Sequence, residues 1–137
     1  MKIKLTDSEW AILEHRLDLT DCLAECYAST MYCNAEDAGR VMSDEEHKAL
    51  EEKAEAAAVK LNLEIRRTRE IDTDSLTELD KWLLADCLDG TTYFCGIEDA
   101  VWDKEISRGK AMSMRKAGYS IQRKFNEAGI ICQICLE

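Results

Sequence analysis

The sequence predicts a mainly α-helical protein, folded as a single domain over residues 1–137 into a compact bundle of about four to five helices. Three observations predict this class. The chain contains no proline, so no pyrrolidine ring interrupts a helix. Helix-capping signatures precede apolar residues that recur at three- and four-residue steps. Apolar residues make up 46% and charged residues 34%, enough hydrophobic material for one core.

The first predicted elements are a short strand and a long helix. Residues 2–5 alternate between charged and apolar side chains, as a strand does. Thr6 and Glu9 then have the spacing of a capping box, in which each side chain satisfies a free backbone N–H of the other residue. Since apolar residues continue at helical spacing as far as Met31, we expect one helix from about Asp7 to Met31.

A second capping box, Ser43 to Glu46, begins the next predicted helix, which is rich in alanine and runs to about Leu61. Residues 61–71 fit two patterns, because their apolar residues also alternate as in a strand. We favour a fraying helix end there. The remaining predictions are a helix from Ser75 to Leu88 stopped by Asp89 and Gly90, a connector over 91–96, a short helix over 97–108, and a longer helix after Gly109 that ends at Gly129.

The two ends of the chain are predicted to pair. Residues 130–136 are apolar and β-branched, which favours a strand, and the alternating residues 2–5 are the expected partner. The chain also contains a faint internal echo, since a shift of 71 positions places residues 5–7 on 76–78 and residues 17–18 on 88–89. Two related helical hairpins would explain the echo, and so would the convergence of unrelated capped helices on one pattern.

Charge is unevenly distributed along the chain. The net charge is -10, and residues 1–103 hold most of the carboxylates, whereas residues 104–137 carry seven basic and three acidic groups. This balance argues against general nucleic-acid affinity, which depends on Lys and Arg displacing counterions. A protein partner is expected instead. The predicted partner-binding residues lie at helix starts and connectors: Glu36, Asp37, Asp44, Glu45, Glu46, Glu98, Asp99 and Asp103.

Both charged regions have a plainer interpretation. Carboxylates at helix starts also oppose the helix dipole, which explains part of the acidic pattern without a partner. The basic helix after Gly109 has Tyr119 among its cations and could contact phosphate. The alternative is that this helix packs antiparallel to an acidic one, where complementary charge specifies register.

No catalytic motif is present, so the sequence predicts a protein that is not an enzyme and needs no cofactor. His15 and His47 are the two histidines, and the scattered glycines form no phosphate-binding loop. Cys132 and Cys135 have metal or redox spacing, and Cys22 with Cys26 would complete a four-thiolate zinc site. Buried or terminal reduced cysteines are the favoured alternative, and no metal site is predicted.

The expected location is the cytoplasm. No apolar run is long enough for a membrane helix, the first residues lack the core of a signal peptide, and seven cysteines suit reduced thiols better than a disulfide framework. The expected partner is a protein or nucleoprotein complex, with no direct contact to nucleic acid or membrane. Homodimerisation is a further prediction, because small helical hairpins often bury apolar surface in this way.

The capped stripes at residues 5–13, 42–50 and 76–92 resemble those of short uncharacterised phage and prophage proteins. Small acidic phage proteins of this kind are similar in class to anti-CRISPR and anti-restriction inhibitors. The resemblance implies that the partner is a host protein or nucleoprotein complex. It implies a stoichiometric inhibitor of a host defence system, which acts by occluding a basic nucleic-acid-binding surface. Two alternatives stay open: a self-associating scaffold or regulatory protein, and a zinc or redox module built on Cys132 and Cys135.

Overall fold

The computed structural model describes residues 1–88, 97 and 99–130, and it shows a mainly helical bundle with one small antiparallel sheet. The elements in chain order are β1 (Lys2–Lys4), α1 (Asp7–Leu17), α2 (Thr20–Asp37), α3 (Asp44–Thr68), β2 (Glu70–Asp72), a 3-10 turn (Thr73–Ser75), α4 (Glu78–Cys87) and α5 (Arg108–Glu127). A short helical segment at 99–102 precedes α5. Within this described part of the chain, no helix has both the length and the apolar character required to cross a bilayer.

The sheet pairs β1 with β2, in the register Ile3 opposite Ile71. Both isoleucines are buried, whereas the lysines on either side of Ile3 are exposed, so the alternation in residues 2–5 predicts the strand correctly. β1 pairs with the segment that follows α3. The predicted partner, residues 130–136, lies outside the described residues except for Ile130, so pairing of the two chain ends stays a prediction.

The single helix predicted from Asp7 to Met31 is in fact two helices. At the end of α1 the Asp18 N–H donates to the backbone oxygens of Glu14 and Arg16, and Leu19 leaves the helical conformation with ψ 61°. Neither proline nor glycine marks this break. Because α1 and α2 both pack on the same core, through Leu17 and Leu23, the apolar stripe continues across the corner and conceals it.

Helices α2 and α3 form a hairpin and make the most extensive contact between two elements of the protein. Their buried residues are largely alanines, among them Ala28 and Ala54, both fully buried, so the two backbones approach closely. Helix α3 continues to Thr68, which confirms the helical interpretation of residues 61–68. The strand begins only at Glu70, after Arg69 has ended the helix in the left-handed conformation with φ 56°.

The core lies where β1, β2, α1, α4 and α5 meet the ends of α2 and α3 nearest to them. Thr6 before α1 and Thr77 before α4 both form complete capping boxes, at the spacing of the internal echo. Leu13 and its counterpart Leu84 are both fully buried. The internal echo therefore corresponds to two helices that begin with equivalent capping boxes and bury equivalent leucines. The segments that follow them cannot be compared in the same way, because residues 89–96 and 98 lie outside the described residues.

Helix α5, the basic helix of the sequence analysis, packs against α1 in the antiparallel direction. Antiparallel packing was the predicted alternative to phosphate contact for this helix. Lys124 near the end of α5 donates from Nζ to Glu9 Oε1 at 2.7 Å, near the start of α1. Ser120 donates to the other oxygen of Glu9 at 3.2 Å, and the Thr6 N–H donates to Oε1 at 2.9 Å. Burial works to raise the pKa of Glu9, but the bonds from Lys124 and Thr6 outweigh it, so the pKa lies below its usual value.

Candidate functional site, an acidic hairpin end

The turn of the α2–α3 hairpin gathers five of the eight predicted partner-binding residues. We call this group the acidic tip; it comprises Glu36 and Asp37 in the last turn of α2 and Asp44, Glu45 and Glu46 in the first turn of α3. Ser43 caps α3 by accepting the Glu46 N–H at 3.1 Å. The three carboxylates of α3 thus sit at the positive end of the helix dipole, where negative charge is stabilised. The two carboxylates of α2 gain nothing from that dipole, because they lie at a C-terminal end.

All five side chains of the acidic tip are exposed. No ion pair among the described residues uses any of them, whereas carboxylates elsewhere, such as Glu9, Glu14 and Asp86, pair with cations of the protein. The same stretch, residues 36–48, also contains Arg40 and Lys48, so five acidic and two basic groups leave a net charge of -3. The tip therefore offers carboxylates without an ion-pair partner among the described residues to an external partner.

Tyr32 and His47 lie beneath the acidic tip and connect its two halves. Their rings meet edge to face, with centroids 6.0 Å apart. The carboxylate of Glu36, by its charge and by a hydrogen bond, raises the pKa of Tyr32, and the charge of Asp44 adds to the effect. Since Glu36 belongs to α2 and Asp44 to α3, both helices contribute to one local negative field. Sequence reasoning did not identify Tyr32 as part of this site; it lies one turn before Glu36 on the same helix.

The acidic tip lies at the end of the hairpin that is remote from the core. Near the other end of α3, Arg66 pairs with Glu14 and Asp18 at the end of α1. Asp44 lies 22 residues before Arg66 on the same helix, which corresponds to about 33 Å along the axis. Ala35 and Ala54, buried between the two helices, are not part of the main core cluster. The tip is thus carried on a two-helix arm.

The remaining predicted site residues belong elsewhere. Asp99 and Asp103 are exposed and share one turn, in which the Asp103 N–H donates to the Asp99 backbone oxygen at 2.9 Å. That turn adjoins Ala100, which lines a cavity together with α1 and α5, and so it belongs to the body of the protein. Glu98 lies outside the described residues. The structure therefore divides the predicted acidic surface into a tip and a separate turn.

The cysteines proposed for a zinc or redox site are not brought together in the described part of the chain. Cys22 and Cys26 are exposed free thiols on α2, and Cys132 and Cys135 lie outside the described residues. Across residues 1–88, 97 and 99–130, no three His, Cys, Asp or Glu side chains are grouped in a way that would hold a metal ion.

The chain was compared with known proteins at three levels. No protein-family model, no curated protein and no solved structure matches it.

Proposed function

We propose that this protein is a small, non-catalytic, protein-binding protein that uses the acidic tip to occupy a basic surface on its partner. The observation that carries the proposal is the placement of five exposed carboxylates, with no ion-pair partner among the described residues, at the end of a projecting helical arm. A surface rich in Lys and Arg that otherwise holds nucleic acid is the matching partner. A phage-encoded inhibitor of a host defence complex is the biological form of this proposal, and it rests on the resemblance described above.

The arm geometry supports insertion into a concave partner surface. Charges on a narrow projection can approach the walls of a groove, whereas the same charges on a broad face meet only a flat partner. Because the carboxylates keep their hydration until contact, their main effect is to accelerate encounter and select a basic partner. The affinity itself then depends on nearby apolar contact, for which Val41, 86% exposed in the hairpin turn, is available.

Affinity capture with matched charge variants tests the proposal. The tip variant carries Asp44→Lys, Glu45→Lys and Glu46→Lys. The control carries Glu25→Lys, Glu64→Lys and Glu127→Lys, which change the net charge equally at exposed positions outside the tip. Tagged wild type, tip variant and control are incubated with host lysate, and the captured proteins are quantified by mass spectrometry. Circular dichroism checks that both variants stay folded.

The expected result is a basic component captured by the wild type and the control, and reduced by about tenfold or more with the tip variant. Capture should weaken as salt rises from about 0.1 M to about 0.5 M, and nucleic acid added to the purified component should compete. Equal capture by the folded tip variant and the wild type would contradict the proposal. So would equal losses in both charge variants, because net charge alone would then explain binding.

Self-association is a second candidate, favoured by a different surface. Trp102 and Met112 are 86% and 69% exposed, and Lys104 and Arg108 lie beside them on the wall of one open groove. Tryptophan, methionine and arginine are enriched at protein interfaces. Light scattering over a range of concentrations tests this candidate. A dimer that Trp102→Ser dissociates supports it, and a wild-type monomer at all concentrations excludes it.

A further inference from the structure

The three most exposed large hydrophobic side chains among the described residues fall at two places. Val41 and Trp102 are each 86% exposed, and Met112 follows at 69%. Val41 lies in the turn of the acidic tip, whereas Trp102 and Met112 lie on one open groove beside the start of α5. Large apolar side chains exposed among polar ones are typical of protein-interaction surfaces. The protein therefore has two candidate interaction surfaces, one on the arm and one on the body.

The groove beside the start of α5 carries the charge opposite to that of the acidic tip. We call it the basic groove; three basic groups and one acidic group on its wall leave a net charge of +2, from Lys104, Arg108, Arg115 and Glu105. No ion pair among the described residues uses Lys104 or Arg108. The acidic tip, by contrast, has a net charge of -3 over residues 36–48. Each surface thus combines exposed apolar side chains with charge, and the two charges are of opposite sign.

The two surfaces also match in shape and lie on different parts of the chain. The acidic tip is the turn at the end of a two-helix arm, and the basic groove is concave. The groove is formed by α5, which packs mainly on α1, and by the segment before it. The tip lies about 33 Å along α3 from Arg66, which pairs with α1. A second copy of the chain can therefore present its tip to the groove without a change in the fold.

We propose that the basic groove binds the acidic tip of a second copy of this chain, with Val41 against Trp102 and Met112 and the carboxylates of the tip facing Lys104 and Arg108. The contact joins two different surfaces. Two copies therefore close into a dimer when each tip fills the groove of the other, and otherwise they add head to tail. The inference rests on the self-association candidate above and names the segment that fills the groove. Because a tip held in a groove is not available to another protein, self-association also competes with the proposed external partner.

Sedimentation velocity on matched charge variants tests the proposal. The tip variant is the triple lysine substitution of the capture experiment, and the groove variant carries Lys104→Gln and Arg108→Gln. The control for the groove variant carries Lys2→Gln and Lys60→Gln, the same charge change at exposed positions outside both surfaces. A reducing buffer prevents disulfide cross-links between the exposed cysteines of α2. Circular dichroism checks that every variant is folded.

The wild type and the control should self-associate with a dissociation constant on the order of 0.1 mM at about 0.05 M salt, and each of the tip and groove variants should associate about tenfold more weakly. A mixture of the tip variant with the groove variant should restore association, because the first keeps an intact groove and the second an intact tip. In mixtures with one isotope-labelled component, amide chemical shifts should change near Val41 of the groove variant and near Met112 of the tip variant.

Three results would overturn the inference in distinguishable ways. If the tip variant associates as the wild type does and the groove variant does not, groove meets groove, and the self-association candidate survives without the inference. A mixture that stays monomeric shows that tip and groove do not bind each other. A wild type that is monomeric up to about 1 mM removes the inference and the self-association candidate together, and it leaves capture of an external protein untouched. If a charge variant does not fold, the exposed substitutions Val41→Ser and Trp102→Ser decide, since each should weaken association about tenfold and unchanged association in either would contradict the contact.

Discussion

Replacing Glu9 by glutamine removes the buried charge that joins the start of α1 to the end of α5. The Glu9 side chain is 2% exposed and accepts hydrogen bonds from Lys124, Ser120 and Thr6. Glutamine keeps the shape and one oxygen that can still accept from Thr6 and Lys124, which share Oε1. The nitrogen that replaces Oε2 no longer accepts from Ser120, and the negative charge that strengthens the bond from Lys124 is lost. A hydrogen bond to a charged group contributes about 1.5–3 kcal/mol. Because Lys124 is itself 37% exposed, solvent screens the pair, and we expect a loss of about 2 kcal/mol.

Thermal and urea unfolding measure this loss. For a chain of 137 residues the unfolding entropy near the transition is about 290 cal/mol/K, so 2 kcal/mol corresponds to a fall of about 7 °C in the melting temperature. Glu14→Gln is the matched control, because Glu14 lies on the same helix and pairs with Arg66 at the exposed surface. The control should change stability only slightly. If Glu9→Gln unfolds within about 0.5 kcal/mol of the wild type, the buried pair does not stabilise the α1–α5 contact.

The same substitution has a signature in pH. Since the pKa of Glu9 is lowered by folding, its ionisation stabilises the protein above its ordinary pKa of 4.5, and this contribution is lost as the pH falls through the folded-state pKa. The difference in stability between wild type and Glu9→Gln should therefore be full at neutral pH and shrink in acid below about pH 4.5. Urea titrations over that range measure it. A difference that stays constant into acid would show that the carboxylate charge is not responsible.

Three further predictions concern the fold. Ala54→Leu should destabilise the α2–α3 hairpin by about 1–3 kcal/mol, because Ala54 is fully buried between close backbones. The control Ala56→Leu, at an exposed position, should change the free energy of unfolding by less than about 0.5 kcal/mol. Equal effects of the two variants in urea melts would contradict the close approach of the helices. Thr77→Ala removes the cap of α4 and should cost about 1 kcal/mol, and Thr77→Ser should restore most of it. Ile71→Ala should cost about 2–4 kcal/mol by thermal unfolding, and the exposed Lys2→Ala very little, if β2 is the partner of β1.

Local chemistry in the sequence predicted where α1 and α3 begin. The Thr6 and Ser43 caps are confirmed, and α5 ends at Glu127, two residues before the predicted stop at Gly129, which has φ 85°. These predictions succeed because a cap is formed by neighbours in the chain, and its hydrogen bonds need no other part of the fold. The break at Asp18 was missed for the opposite reason. Nothing local marks it, and it follows from two helices turning around one shared core.

The charge distribution likewise has one part that the sequence determines and another that the fold determines. The excess of carboxylates over residues 1–103 is a property of the sequence, but their arrangement is not. The hairpin brings Glu36 and Asp44 to one end, while Asp99 and Asp103 lie in a turn next to α1 and α5. The cavity with Arg16 and Lys110 on its wall was invisible to sequence reasoning. Its residues come from elements far apart in the chain, and no spacing or motif relates them.

The sequence by itself determined the helical class, the capped starts of α1 and α3 and the strand at residues 2–4, because short-range hydrogen bonding and side-chain periodicity specify each of them. Composition determined the excess of negative charge. Only the tertiary structure decided that β1 pairs with β2, that Glu9 is buried against Lys124, and that a cavity lined by Ile12 and Met114 lies between α1 and α5. Each of these depends on the distance between residues well separated in the chain, which is set when the whole core packs and not by any local pattern.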